Sequence, residues 1–345
     1  MKNKTFAFLS LLTLTACNTN SVKTETFFYR AYGVFASEFA VTYNAEEDLE
    51  KEIDEFISSF TLEADPYSQH KGVNGVYEIN QTNEPVKVSY DLFDAIDRAW
   101  TIKSETDGYF NPLIFDLSSL WKKTIFGGII ADPDYMPTKA KIDEAKEQVP
   151  ALLEKMNNSS LILDAANKTV QRQGEAKLDL GGIAKGYAVE KVDSILKARG
   201  VTEYFVNGGT SSLGFGNAQG GGAFRVKLKY TEDILRYYAQ NTFTSLSAIY
   251  EQHRHVDGLI YSHVINTVTG LPLTDYSMAF LQGDDSTRLD AFSTACMIAG
   301  IDKTKEWENK YGFKAALFEH KVGDGSDEEH EYGEMVYENK DLKRV

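Results

Sequence analysis

Cysteine is scarce in this chain of 345 residues: there are two, at positions 17 and 296. Cys296 lies inside an apolar stretch, where a lone thiol makes no intramolecular disulfide and reads as core filler. Stability must then come from burial, and the roughly 320 residues beyond the N-terminal leader can bury a large core. Basic residues are also in deficit. Lys and Arg number 36 against 51 Asp and Glu, for a formal net charge of −15. That argues against nucleic acid as a partner, because neutralising phosphates needs a basic face. The apolar run at 5–14 is too short to span a bilayer. No internal repeat is visible. Strands and helices mix without regular βαβ alternation, which favours one α+β domain.

The N-terminus reads MKNK, then the apolar run, then Leu14-Thr15-Ala16-Cys17. A basic start, a short apolar core and a small-residue junction make a secretory signal. LTAC resembles a bacterial lipobox, in which the cysteine becomes the lipidated N-terminus; ordinary cleavage, with Cys17 lost or merely free, is the alternative. Two acyl chains on Cys17 would anchor stably and would hold the protein on the extracytoplasmic side of the cell membrane. The chain then divides into a leader at 1–17, a polar tether at 18–26, a folded domain at 27–318 and an acid-rich tail at 319–345 that reads as solvated or disordered.

Within the domain, 27–43 reads as a hairpin with Gly33 inside. Leu49, Ile53, Phe56 and Ile57 share a helical face over 46–60. The stretch 62–77 is loop-like. Ser89 caps a helix over 89–104 that turns Leu92, Phe93, Ile96 and Trp100 inward. Another helix lies within 133–150. Short strands are expected at 161–163, 169–172, 204–206, 224–229, 242–249 and 315–318. A helix continues to Arg199 with Gly200 beyond its end, and a last one covers 290–299.

Three segments carry chemistry. Asp179-Leu180-Gly181-Gly182-Ile183-Ala184-Lys185-Gly186-Tyr187-Ala188 places two glycines before a helix whose N-terminus favours anions, with Lys185 as an added cation. It lacks the G-x-x-x-x-G-K-[ST] spacing of a phosphate loop, and a structural strand–turn–helix is an equal alternative. In Tyr261-Ser262-His263-Val264-Ile265-Asn266-Thr267-Val268-Thr269-Gly270, His263 has the position of a general base, though a lone strand histidine is more often structural. His253 and His255 read as surface residues. In Asp290-Ala291-Phe292-Ser293-Thr294, the i,i+4 pair aims a carboxylate and a hydroxyl at one point, which suits Mg²⁺; an N-cap Asp with an ordinary Thr is the plain alternative.

Together these segments resemble the ApbE family, the FAD:protein FMN transferases, whose D-L-G-G-I-A-K-G-Y-A, H-I-I-D-P-x-T-G and D-A-x-x-T stand here as DLGGIAKGYA, HVINTVTG and DAFST. Thr106-Asp107-Gly108-Tyr109-Phe110-Asn111-Pro112 is similar to the family's T-D-G-x-F-D-P and is followed by Leu120-Trp121. Asp65-Pro66-Tyr67-Ser68 with Ile79-Asn80 is similar to its D-P-x-S…I-N, and Asn207-Gly208-Gly209 to its N-G-G-G turn. The resemblance implies a single T-fold-like domain of mixed, mainly antiparallel sheet with flanking helices. It implies that Asp179 and Lys185 contact FAD. The Gly182 carbonyl, Asp290 and Thr294 would hold Mg²⁺, with Ser293 as a further candidate. Tyr109, Phe110 and Asn111 would line the flavin site, with Tyr32 and Tyr67, and the Val264 backbone would lie against the cofactor. His263 would be the catalytic base, with Asp179 next in line.

The implied reaction moves FMN from FAD onto a threonine of an exported acceptor protein and releases AMP. A threonine hydroxyl is a poor nucleophile and needs a base. Mg²⁺ would neutralise the pyrophosphate, which an acidic protein needs. Water in place of threonine would give an FAD pyrophosphatase, and a non-catalytic exported flavin-binding lipoprotein is a further alternative. The chain departs from the family pattern at Asn266, Thr267, Asn111 and Thr210, where the family carries Asp, Pro, Asp and Gly.

Overall fold

The computed structural model describes residues 24–35, 37–229, 231, 234–320 and 333–345. The leader with Cys17, most of the tether and the acidic run 321–332 lie outside the described residues. Among those residues no helix is long and apolar enough to cross a membrane.

The chain opens with the expected hairpin, β1 (Glu25–Val34) and β2 (Ser37–Ala45). Helices α1 (Glu50–Ala64) and α2 (Val76–Gln81) follow, then β3 (Val86–Lys87) and α3 (Tyr90–Glu105). Ser89 does cap α3: its hydroxyl accepts the Leu92 N–H at 3.1 Å. Next come α4 (Phe115–Phe126), α5 (Lys139–Asn157), β4 (Ser160–Asp164), β5 (Thr169–Gln173) and α6 (Ala184–Ala198). The C-terminal half holds β6 (Tyr204–Gly208), β7 (Ser212–Phe215), β8 (Phe224–Lys227), β9 (Arg236–Ala239) and β10 (Thr242–Ala248). It closes with β11 (His253–Val256), β12 (Leu259–Ser262), β13 (Tyr276–Gly283), α7 (Ser286–Ala299), α8 (Ile301–Tyr311), β14 (Lys314–His320) and β15 (Gly333–Glu338).

The main sheet has eight strands in the order β1-β2-β6-β7-β10-β13-β14-β15, and every pair in it is antiparallel. This is the mixed, mainly antiparallel α+β architecture expected. Helices α6 and α7 pack together and cover one face across β6, β7, β10 and β13. Alternation along a strand splits its residues between the two faces. In β13, Ala279 and Leu281 join the core under the helices, whereas Met278 and Phe280 join a second core with Phe215, Tyr237 and Phe318 beneath the β8–β9 hairpin. A strand buried on both faces shows a continuous apolar run instead of alternation, which is why β13 leaves no period in the sequence.

Three expectations need correction. Helix α1 runs through Ala64 into the stretch read as a loop, and α5 continues past Pro150 to Asn157. The tail is not wholly solvated: its described part, 333–345, adds β15 to the sheet beside β14. Polar composition hid this because Glu338 is paired and the polar tail also contributes to other elements' contacts. Glu338 accepts from Tyr237 at 2.7 Å and from Arg344 at 2.7 Å, Tyr337 donates to Glu308, and Leu342 is buried.

Candidate active site

The site is built where α6 meets α7. Asp285, not Asp290, is the N-cap of α7 and accepts the Arg288 N–H at 2.7 Å. Asp290 lies further along the helix, is 5 % exposed, and takes the Gly186 N–H on Oδ2 at 2.8 Å. The plain reading of Asp290 as a cap therefore falls. Gly186 is required: a Cβ there would stand 2.6 Å from the Asp290 Cβ and closer still to the Ser286 carbonyl oxygen. The carboxylate thus sits against the N-terminal turn of α6, where the helix dipole favours negative charge. Because Gly186 gives its N–H to Asp290, the Gly182 carbonyl does not receive it, and the next carbonyl, of Ile183, accepts the Tyr187 N–H at 3.0 Å.

Asp290 Oδ1 has only a long contact, 3.5 Å from the Ser245 hydroxyl, so acceptor capacity remains. Around it stand further oxygens. Ser247 Oγ lies 2.7 Å from Ser293 Oγ and 3.0 Å from Thr294 Oγ1. Among the described residues no three His, Cys, Asp or Glu side chains gather to hold a metal by themselves. One carboxylate with a free oxygen, a threonine hydroxyl one turn on and a backbone carbonyl fit Mg²⁺, which completes its shell with water and substrate phosphates.

Asp179 has both carboxylate oxygens engaged: Oδ1 accepts the Gly181 N–H at 2.7 Å and Oδ2 the Ser118 hydroxyl at 2.9 Å. It therefore shapes the double-glycine loop. Gly182 lies under the Phe110 ring, where a Cβ would come to 3.2 Å. Upstream, the Asn80 side-chain amide clamps the Leu178 backbone, Nδ2 donating to the carbonyl at 2.8 Å and Oδ1 accepting the N–H at 2.7 Å, so that motif asparagine is a scaffold residue.

His263 follows β12. Its Nδ1 is 3.1 Å from the Gln252 carbonyl oxygen, which can only accept, so Nδ1 carries the proton and Nε2 keeps a lone pair. Burial lowers the imidazole to about 4, against the pull of the Gln252 carbonyl, and the charges of Lys185 and Lys122 push the same way. The ring is half-exposed at the cleft wall, so cleft water moderates the size of that shift. His263, Val264, Asp179, Gly182, Lys185, Asp290, Thr294, Tyr109, Phe110 and Asn111 all line one cleft of about 350 Å³.

The sequence model of the ApbE family matches residues 34–318. The chain belongs to that family. Among curated relatives, the FAD:protein FMN transferase of Treponema pallidum is 27 % identical over 249 residues, which is 68 % of this chain and 67 % of that protein. The FAD:protein FMN transferase of Salmonella typhimurium is 27 % identical over 280 residues, 76 % of each chain. The fold is shared with the flavin transferase ApbE of Vibrio cholerae, at a TM-score of 0.68, 20 % identity and coverage of 90 % of this chain and 98 % of that one. The ApbE protein of Thermotoga maritima superposes at 0.69 with 23 % identity, over 86 % of this chain and 94 % of its own.

The departures from the ApbE pattern have local accounts. Asn266 accepts the Val268 and Thr269 N–H groups on Oδ1 at 2.9 and 3.2 Å, a turn an Asp would close with the same atom. Thr267, in place of Pro, donates to the Gly108 carbonyl at 2.9 Å and so ties the two motifs together. Asn111 accepts the Leu113 N–H at 3.0 Å. Thr210 stands in the left-handed region at φ 65°, where the family's glycine would rest without strain. Tyr32 and Tyr67 are not among the residues lining this cleft: Tyr32 is 74 % exposed on β1, and Tyr67 lines a neighbouring cavity of about 530 Å³ while its hydroxyl accepts from Lys122 of the cleft wall at 2.8 Å. The sequence reading missed Lys122, Ser118, Ser247 and Gln252, all in the cleft wall. Lys122 directly follows the quoted Leu120-Trp121 pair; the others carry no local signal.

Proposed function

We propose that this chain is an FAD:protein FMN transferase acting on a threonine of an exported acceptor protein. The observation that carries the proposal is a neutral histidine with a free Nε2 in the same cleft as the Asp290–Thr294 oxygen cluster. In the step envisaged, the acceptor hydroxyl gives its proton to His263 Nε2 as its oxygen attacks the phosphorus on the FMN side of FAD. The new P–O bond forms while the bond to the AMP phosphate breaks, and AMP leaves with the electron pair. Asp290, Thr294 and the Gly182 carbonyl would hold Mg²⁺, which when bound neutralises pyrophosphate charge. Asp179 holds the double-glycine loop, Lys185 binds phosphate, and Phe110 and Tyr109 supply the aromatic wall for the flavin.

The test is to incubate the full chain with FAD, Mg²⁺ and candidate exported proteins and to follow AMP release and a covalent FMN mass increment. FAD turnover to free FMN alone would convert the reading to a pyrophosphatase; bound but intact FAD would leave a carrier. The second part of the proposal is that Cys17 is lipidated and tethers the enzyme to the membrane. Cys17→Ser should then release the protein from the membrane fraction or block its maturation, whereas full processing with retention would refute the anchor.

A further inference from the structure

Lys122 is a charged group in the cleft that the proposed reaction leaves without a task. It projects from α4, is half-buried, and lines the same cleft as His263 and Lys185. Its Nζ donates to the Tyr67 hydroxyl at 2.8 Å and lies 5.1 Å from that ring. Among the described residues no carboxylate stands within ion-pair distance of it. Asp179 is the nearby negative charge, yet both its oxygens are already engaged by Gly181 and Ser118. Burial works against the ammonium, but Asp179 and Tyr67 outweigh it and hold the proton above the ordinary lysine range. A lysine has three N–H donors, and one is spent on a neutral oxygen. In a chain of net charge −15, two ammonium groups thus converge from α4 and α6 on one cavity. A desolvated cation without an ion-pair partner is satisfied when a ligand brings the anion.

We infer that Lys122 is a further substrate-binding residue, which holds a phosphoryl oxygen of FAD together with Lys185, and that Tyr67 positions it through its hydroxyl. The inference rests on the flavin-transferase reading. It gives Tyr67 a positioning part: its hydroxyl fixes the Lys122 ammonium and its ring supports the side chain. It also links binding to the base, since the Lys122 charge faces His263 and helps keep the imidazole neutral.

The experiment titrates the full chain in Mg²⁺ buffer with FAD and, separately, with riboflavin, which lacks phosphate, by flavin fluorescence. Lys122→Gln should weaken FAD by about ten- to a hundredfold, the range for a lost hydrogen bond to a charged group, and change riboflavin binding by less than about twofold. Lys122→Arg should recover most of the loss. Tyr67→Phe, which keeps the ring, should weaken FAD selectively by several-fold. Where an acceptor is flavinylated, Lys122→Gln should also move the acid limb of the rate to higher pH. Equal losses for FAD and riboflavin, or unchanged FAD binding in Lys122→Gln, would overturn the inference. The transferase reading fails by a separate route, when wild type binds FAD tightly yet transfers nothing, and the Lys122 titrations still stand in that case.

Discussion

Gly186→Ala sets two physical effects of opposite sign against each other. Inside a helix, replacing Gly by Ala gains about 1 kcal/mol of intrinsic propensity. At this position the new methyl carbon would stand 2.6 Å from the Asp290 Cβ, in the contact between α6 and α7. Forcing an extra carbon into a packed interior costs about 1–3 kcal/mol. Moving α7 away also stretches the 2.8 Å hydrogen bond from the Gly186 N–H to Asp290. A hydrogen bond to a charged group contributes about 1.5–3 kcal/mol. The balance is a net destabilisation of roughly 2–4 kcal/mol, worth several degrees in melting temperature. Because Asp290 is displaced with α7, FMN transfer should fall more steeply than stability does, and excess Mg²⁺ should restore part of it. The assay is thermal unfolding alongside single-turnover transfer at several Mg²⁺ concentrations. A Gly186→Ala protein as stable as wild type, with normal Mg²⁺ dependence, would refute the argument, since propensity would then have won.

The remaining expectations address the base, the metal ligand and a strained turn. His263→Ala should lose about 10²–10⁴-fold in transfer while still binding FAD; near-normal transfer would place the base elsewhere, and Asp179→Asn would be the next variant. Because the folded imidazole titrates toward 4 and the unfolded one near 6.5, wild-type activity should persist below pH 6. The same shift means the unfolded state binds the extra proton between those values, so His263 makes the fold less stable as pH falls through that window and His263→Gln should flatten the dependence. Asp290→Asn should abolish Mg²⁺-dependent transfer, a chelator should do the same to wild type, and full activity in excess chelator would rule out the metal. Thr210→Gly should stabilise the protein by up to about 1 kcal/mol in a denaturant titration, because it relieves a β-branched residue at φ 65°.

Much of this protein is legible in local sequence. The Ser89 cap, the hairpin around Gly33 and the helix after DLGGIAKGYA depend on interactions over a few residues, and periodicity reveals them. The motif residues of the cleft were legible for a related reason: each segment carries its own turn, as Asn266 does for HVINTVTG and Asp179 does for the double glycine. Only the tertiary structure decided what those segments do together. Gly186 and Asp290 are 104 positions apart, and their contact turns a helix residue into a buried carboxylate whose second oxygen has only a long contact to Ser245. The His263 tautomer follows from a Gln252 carbonyl on a neighbouring segment, and its neutrality from burial in the cleft wall, with lysines on α4 and α6 pushing the same way. Strand β13 left no period because both of its faces are buried, and β15 was masked by Glu338, whose Tyr237 partner lies 101 positions away. Capping and periodicity act within a turn or two of the chain, whereas the direction a side chain faces across a cleft is set by how whole helices pack on the sheet.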